Sequence, residues 1–150
     1  LSYHHHMAAV IETEEELNEF MKQSGEVLTL LYDTGHMALS GGDVLRVIDN
    51  HHKRISHVHT KDVRQSVMTG LDRTKESFLD AVIKGVFTVP GDGDLNFNSI
   101  VNKLASKGYE GWFVVEAEQD PITNPPLKMA QTGYKELMRI MDNSGYQVEK

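Results

Sequence analysis

The strongest constraint on this chain is an alternation of two patterns. Short, nearly continuous apolar runs, Val27-Leu28-Thr29-Leu30-Leu31-Tyr32, Ile55-Ser56-His57-Val58-His59-Thr60 and Trp112-Phe113-Val114-Val115-Glu116-Ala117-Glu118, are separated by segments whose apolar residues recur at helical spacing. Such runs mark strands buried on both faces. Between them, Thr13-Glu14-Glu15-Glu16 has the form of a capping box, followed by Leu17, Phe20 and Met21 and closed by Gly25, so the spacing predicts a helix over about 13–23. Asp43 caps a second helix through Asn50. A third is expected from Thr74 to about Lys84, a fourth around Ile100 and Leu104, and a terminal one from Pro125 or Pro126 to about Asn143. The polar segment from Lys61 to Arg73 reads as a loop, and Val89-Pro90-Gly91-Asp92-Gly93-Asp94 as a turn-rich one.

With Leu1 to His6 as the tail of an earlier strand, each strand is followed by a helix. That order demands right-handed crossovers and a parallel sheet with helices outside it, an α/β protein. Two architectures satisfy it, an open doubly wound sheet or part of a closed barrel. The 150 residues make a single domain, 1–150, the default; such a length buries roughly 70% of the unfolded surface.

Composition narrows the function classes. A net charge of −7 lacks the basic footprint of phosphate-backbone binding and repels anionic membranes, so neither nucleic acid nor membrane is expected as a partner. No apolar stretch approaches the roughly 20 residues of a membrane span, and no signal peptide is recognisable. Cysteine is absent, which excludes thiolate metal sites and fits a reducing compartment. A cytoplasmic location is expected.

In both architectures the working groups sit at the carboxyl ends of the strands. Here the second strand ends in Asp33 with His36 three residues on, the third in His57 and His59, the fourth in Glu116 and Glu118, and the first in a histidine run. Alternation along a strand puts His57 with His59, Glu116 with Glu118 and His4 with His6 on shared faces. If Asp33, His59 and Glu116 converge, two carboxylates about 4 Å apart repel by roughly 4 kcal/mol at an effective dielectric near 20. A divalent cation removes that repulsion, and mixed imidazole and carboxylate ligands suit manganese, iron, cobalt or zinc.

Several stretches together resemble a known family. Leu31-Tyr32-Asp33-Thr34-Gly35-His36, Ser56-His57-Val58-His59-Thr60-Lys61-Asp62-Val63-Arg64, Gly85-Val86-Phe87-Thr88-Val89-Pro90-Gly91-Asp92-Gly93 and Gly108-Tyr109-Glu110-Gly111-Trp112-Phe113-Val114-Val115-Glu116-Ala117-Glu118-Gln119-Asp120-Pro121 look like the inosose dehydratases. These enzymes of myo-inositol catabolism belong to the xylose-isomerase-like superfamily. The resemblance implies a (β/α)₈ TIM barrel of which this chain supplies about the last four βα units. Tyr3-His4-His5-His6-Met7, which has the look of an expression tag, becomes native sequence at the barrel's fifth strand.

The resemblance further implies Asp33, His59 and Glu116 as metal ligands. The remaining family ligand is normally a glutamate on the strand that here carries histidines, which leaves His4 first and His6 second for that place. The expected metal is divalent, manganese or cobalt first, with zinc, iron or magnesium also compatible. Glu116, Glu118 and Lys61 are candidate bases, Lys61 only if the cleft depresses its pKa, and His36 or His6 the candidate acid. His6, His57 and Arg64 are expected to bind substrate, a small cyclic polyol ketone. The implied reaction is the removal of water from 2-keto-myo-inositol through an enolate. Two alternatives stay open: a metal-dependent sugar isomerase or epimerase, or an inactive fragment that self-associates through unpaired strand edges. A homo-oligomer is expected.

Overall fold

The computed structural model describes residues 1–149. In chain order, β1 (Ser2–His4) leads to α1 (Glu14–Gln23), β2 (Thr29–Asp33), α2 (Thr34–Leu39), α3 (Val44–His51), a 3-10 turn (His52–Arg54) and β3 (Ile55–His59). Then come β4 (Asp62–Val63), α4 (Gln65–Thr69), α5 (Phe78–Ile83), β5 (Phe87–Thr88), α6 (Phe97–Ser106), β6 (Trp112–Val114) and α7 (Pro126–Ser144).

The main sheet has the order β1-β2-β3-β6, every pair parallel. Spatial order therefore follows chain order. A doubly wound sheet reverses direction at a switch point; this one does not, and it has the sequence of neighbours expected of consecutive barrel strands. The register sets Asp33 beside His59 and His59 beside Val114, so the carboxyl ends of adjacent strands line up.

Local chemistry explains the helices. Thr13 and Glu16 exchange the reciprocal bonds of a capping box at α1, and Asp43 accepts from the N–H groups of Leu45 and Arg46 at α3. Leu17, Met21, Val47, Ile48, Ile100, Val101, Leu104, Leu137 and Ile140 bury their side chains against Leu30, Tyr32 and Val58 of the strands. Buried Glu14 is matched by a bidentate pair from Arg46, at 2.6 and 2.7 Å.

The structure corrects three expectations. The segment from Lys61 to Arg73 is not a plain loop: β4 pairs antiparallel with β5, and α4 follows, because Val63, Val67 and Met68 join a second apolar cluster with Phe87 and Val86. The helix expected from Thr74 starts at Phe78, where Ser77 and Asp80 form a capping box, while Thr74 is held by Asp72. The last strand stops at Val114 rather than Glu118: beyond His59 the neighbouring chain leaves the sheet after Thr60 bonds to Val114, so residues 115–118 have no ladder partner.

Asp62 shows how the β4 excursion is fastened. Its Oδ1 accepts from the N–H groups of Val63 and Leu95, at 2.8 and 2.9 Å, whereas its buried Oδ2 has no partner. Burial, with help from Asp94, pushes its pKa up to about 6. A folded pKa above the unfolded value of about 3.9 means the native state holds the extra proton between the two, so stability falls as pH rises through that window. Asp62→Asn keeps the accepting oxygen and removes the titration. It is expected to be more stable than the wild type above about pH 6 and to converge with it near pH 4, as read by urea unfolding at both pH values.

Candidate metal centre

Asp33 divides its two oxygens. Oδ1 caps α2 by accepting from the His36 N–H at 2.9 Å, which leaves Oδ2 free at the carboxyl end of β2. Around Oδ2 stand His4 Nε2 and His59 Nδ1, each at 3.4 Å, and Glu116 Oε2 lies 3.2 Å from His59 Nδ1. All four atoms are buried without a hydrogen-bond partner. Lys61 Nζ comes within 3.3 Å of Asp33 and 2.9 Å of Glu116 as an ion pair. Buried polar atoms are rarely left unpaired in native proteins. His4 Nε2, Asp33 Oδ2 and His59 Nδ1, from three different segments, lie within 4.8 Å of one another and could hold a divalent cation, with Glu116 Oε2 beside His59 and ion-paired with Lys61.

The charges point the same way. Burial works against protonating His59, yet Asp33 and Glu116 outweigh it and push the imidazole up to about 9. Asp33, despite burial, is held well below the usual carboxylate range by His4, His59 and Lys61. The cluster therefore favours positive charge, which is what a site able to hold a cation requires.

A second group adjoins the first. His6 Nε2 lies 3.6 Å from Glu118 Oε1 and His36 Nε2 lies 3.3 Å from Glu118 Oε2, and the three could also hold a cation. His4 thus stands with Asp33 and His59, and His6 with Glu118. The two histidines share a face of the chain but not a cluster, because β1 ends at His4 and His6 bends away, its Nδ1 bonded to the Met7 carbonyl at 2.6 Å.

Lys61 sits between the groups, fully buried, with Nζ 2.9 Å from His36 Nε2 and 2.8 Å from Glu118 Oε2. Its ammonium also lies 5.0 Å from the centre of the Phe87 ring. Burial opposes its charge, but Asp33, Glu116 and Glu118 raise its pKa. The depressed pKa that would let Lys61 act as a base is therefore not found. For Glu118, burial works the other way, but His36 first and then Lys61 outweigh it and draw the carboxyl down to about 2.

The remaining expected residues fall outside the two groups. His57 is half-buried with its ring 5.6 Å from that of His59, and burial lowers its pKa. Arg64 turns away from the clusters, donating to the Gly85 carbonyl, Thr88 and Asp92. Thr88 also accepts from Gln119, the neighbour of Glu118, at 3.4 Å.

Three contributors were not singled out in the sequence. His5 points to the opposite face, stacks on Tyr32 and accepts the Asp33 N–H at 3.2 Å, burial keeping it neutral with a pKa near 3. Thr34 donates to the Lys61 carbonyl at 2.6 Å. Gly35 gives Lys61 room, since a Cβ there would meet Lys61 Cγ at 2.5 Å and Cβ at 2.9 Å. Gly35→Ala must shift the whole lysine stem, and a misplacement on the order of 1 Å is expected to lower kcat/KM about 10²-fold in a complete enzyme, checked by steady-state kinetics.

Comparison with known proteins bears on the family and the fold. A family model described as a xylose isomerase-like TIM barrel matches residues 3–144. The chain is 48% identical over 148 residues to the rhizopine catabolism protein MocC of Rhizobium meliloti, spanning 99% of this chain and 46% of that protein. It is 54% identical over 129 residues to the inosose dehydratase of Geobacillus thermodenitrificans, spanning 85% of this chain and 43% of that one. The chain thus spans about half the length of the curated relatives it matches. A solved structure of the IolI protein with a bound zinc atom superposes with a TM-score of 0.69 at 16% identity, over 99% of this chain and 50% of the other, a likeness of fold.

Proposed function

The chain belongs to the xylose isomerase-like TIM barrel family, and from that premise we propose that it forms the metal-binding, carboxyl-terminal half of a hydro-lyase that dehydrates a cyclic polyol ketone of the inosose type. The observation that carries the reading is the convergence of His4 Nε2, Asp33 Oδ2 and His59 Nδ1 within 4.8 Å of one another, with Glu116 Oε2 beside His59. His4, Asp33, His59 and Glu116 would hold the cation, which supplies Lewis-acid polarisation of a ketone oxygen. Identity of 54% and 49% to two inosose dehydratases favours dehydration over isomerisation or epimerisation.

The chain's own groups divide the proton work. Glu118 is partly exposed and outside the first cluster, which places it to take the proton next to the carbonyl, the step that yields the enolate. His6 is the accessible acid: its Nδ1 is committed to the Met7 carbonyl, so Nε2 is the atom that exchanges a proton with a departing hydroxyl. His36 is fully buried and positions Lys61 and Glu118. Lys61, held protonated, offsets the carboxylates and stabilises negative charge developing on substrate oxygen. No helix among the described residues is long and apolar enough to cross a membrane. The reading is tested by loading a complete barrel containing this half with cobalt or manganese and following loss of an inosose by NMR. Metal-dependent loss supports it, and turnover unaffected by exhaustive chelation overturns it.

A further inference from the structure

The Asp33, Glu116 and Glu118 carboxylates all lie within 3.3 Å of a single buried atom, Lys61 Nζ. One divalent cation would balance two of those three charges, and one ammonium the third. The side chains gathered on the far side of Nζ, His6, His36 and Glu118, are themselves a cation-competent set. We propose that the centre has the donor groups of a binuclear site, in which the Lys61 ammonium permanently occupies the seat of a second metal ion.

Three features of the surroundings fit a fixed resident charge rather than a mobile side chain. The stem packs against Gly35, which has no room for a Cβ, and its Nζ lies over the Phe87 ring, 5.0 Å from the centroid. Its backbone is tied by Thr34. Its Nζ contacts His36 Nε2 at 2.9 Å and Glu118 Oε2 at 2.8 Å, the two atoms a second metal would need as ligands. An ammonium and a divalent ion cannot share that space, because Nζ already fills the position between His36 Nε2 and Glu118 Oε2, in contact with both. The lysine therefore keeps the site mononuclear. With the ammonium removed, an imidazole pair and a carboxylate are left facing a negative pocket, a set that binds divalent first-row ions.

The test counts cobalt(II) ions on the full chain, stripped by chelator, equilibrated with excess cobalt and freed of unbound ion. Lys61→Met keeps the packed stem and deletes the charge. It is expected to retain about one equivalent more cobalt than the wild type, and the gain is expected to vanish when His6→Ala is added. Should Lys61→Met fail to give a native circular dichroism spectrum, Lys61→Gln serves the same comparison. Equal uptake by the wild type and the neutral variant overturns the proposal. So does a His6-dependent second equivalent in the wild type, where Lys61 should exclude it. The inference rests on reading the first cluster as a metal site, and the outcomes separate: a wild type that takes up no cobalt removes that reading, whereas equal uptake in both proteins removes only the role of Lys61.

Discussion

Replacing Asp33 and His59 together by alanine is expected to abolish stoichiometric metal binding and to lower dehydration by a complete barrel about 10³-fold or more, since a Lewis acid on the ketone is worth several kcal/mol and each 1.4 kcal/mol is a factor of ten. The two residues are register neighbours on β2 and β3, and both their unpaired atoms face the same point. Their loss removes half of the donor set. Because the cap on α2 depends on Asp33 Oδ1, the double variant also loses about 1 kcal/mol of local stability, far too little to account for such a drop. Metal analysis beside the rate measurement separates the two effects. Undiminished metal content with undiminished turnover would remove the cluster from the chemistry.

Glu118→Gln is expected to behave differently. The substitution keeps the shape and the bond to Lys61 but removes the base, so kcat should fall by about 10²- to 10⁴-fold, the usual contribution of a positioned general base, while metal content stays at the wild-type level. That contrast follows from geometry: Glu118 faces His6, His36 and Lys61 rather than the His4, Asp33 and His59 group. If the variant lost metal and activity in parallel, Glu118 would be a ligand and the division between the groups would be wrong.

How much of this was legible in the sequence depends on the range of the interaction involved. The buried strands showed because their apolar runs are a local pattern, and the α1 and α3 caps because Thr13, Glu16 and Asp43 act within one turn. The convergence of Asp33 and His59 followed from their place at strand ends, which any parallel sheet aligns. The two-residue strands β4 and β5 did not show, since their pairing joins segments over 20 residues apart and rests on few apolar side chains. The separation of His4 from His6 was also hidden. Strand alternation puts them on one face, and only the end of β1 at His4, two residues before His6, lets them reach different carboxylates. The charge state of Lys61, left conditional on the cleft, was hidden for a related reason: its partners come from β2 and from residues 115–118, and a charge state set by such distant neighbours leaves no mark in the local sequence.

The most direct test of the central claim is an X-ray absorption spectrum of the cobalt-loaded protein, with that of His4→Ala beside it. The account predicts nitrogen and oxygen donors at about 2.0–2.2 Å, two of them imidazoles, falling to one imidazole in the variant. A first shell without imidazole scattering, or one that the variant leaves unchanged, would contradict it.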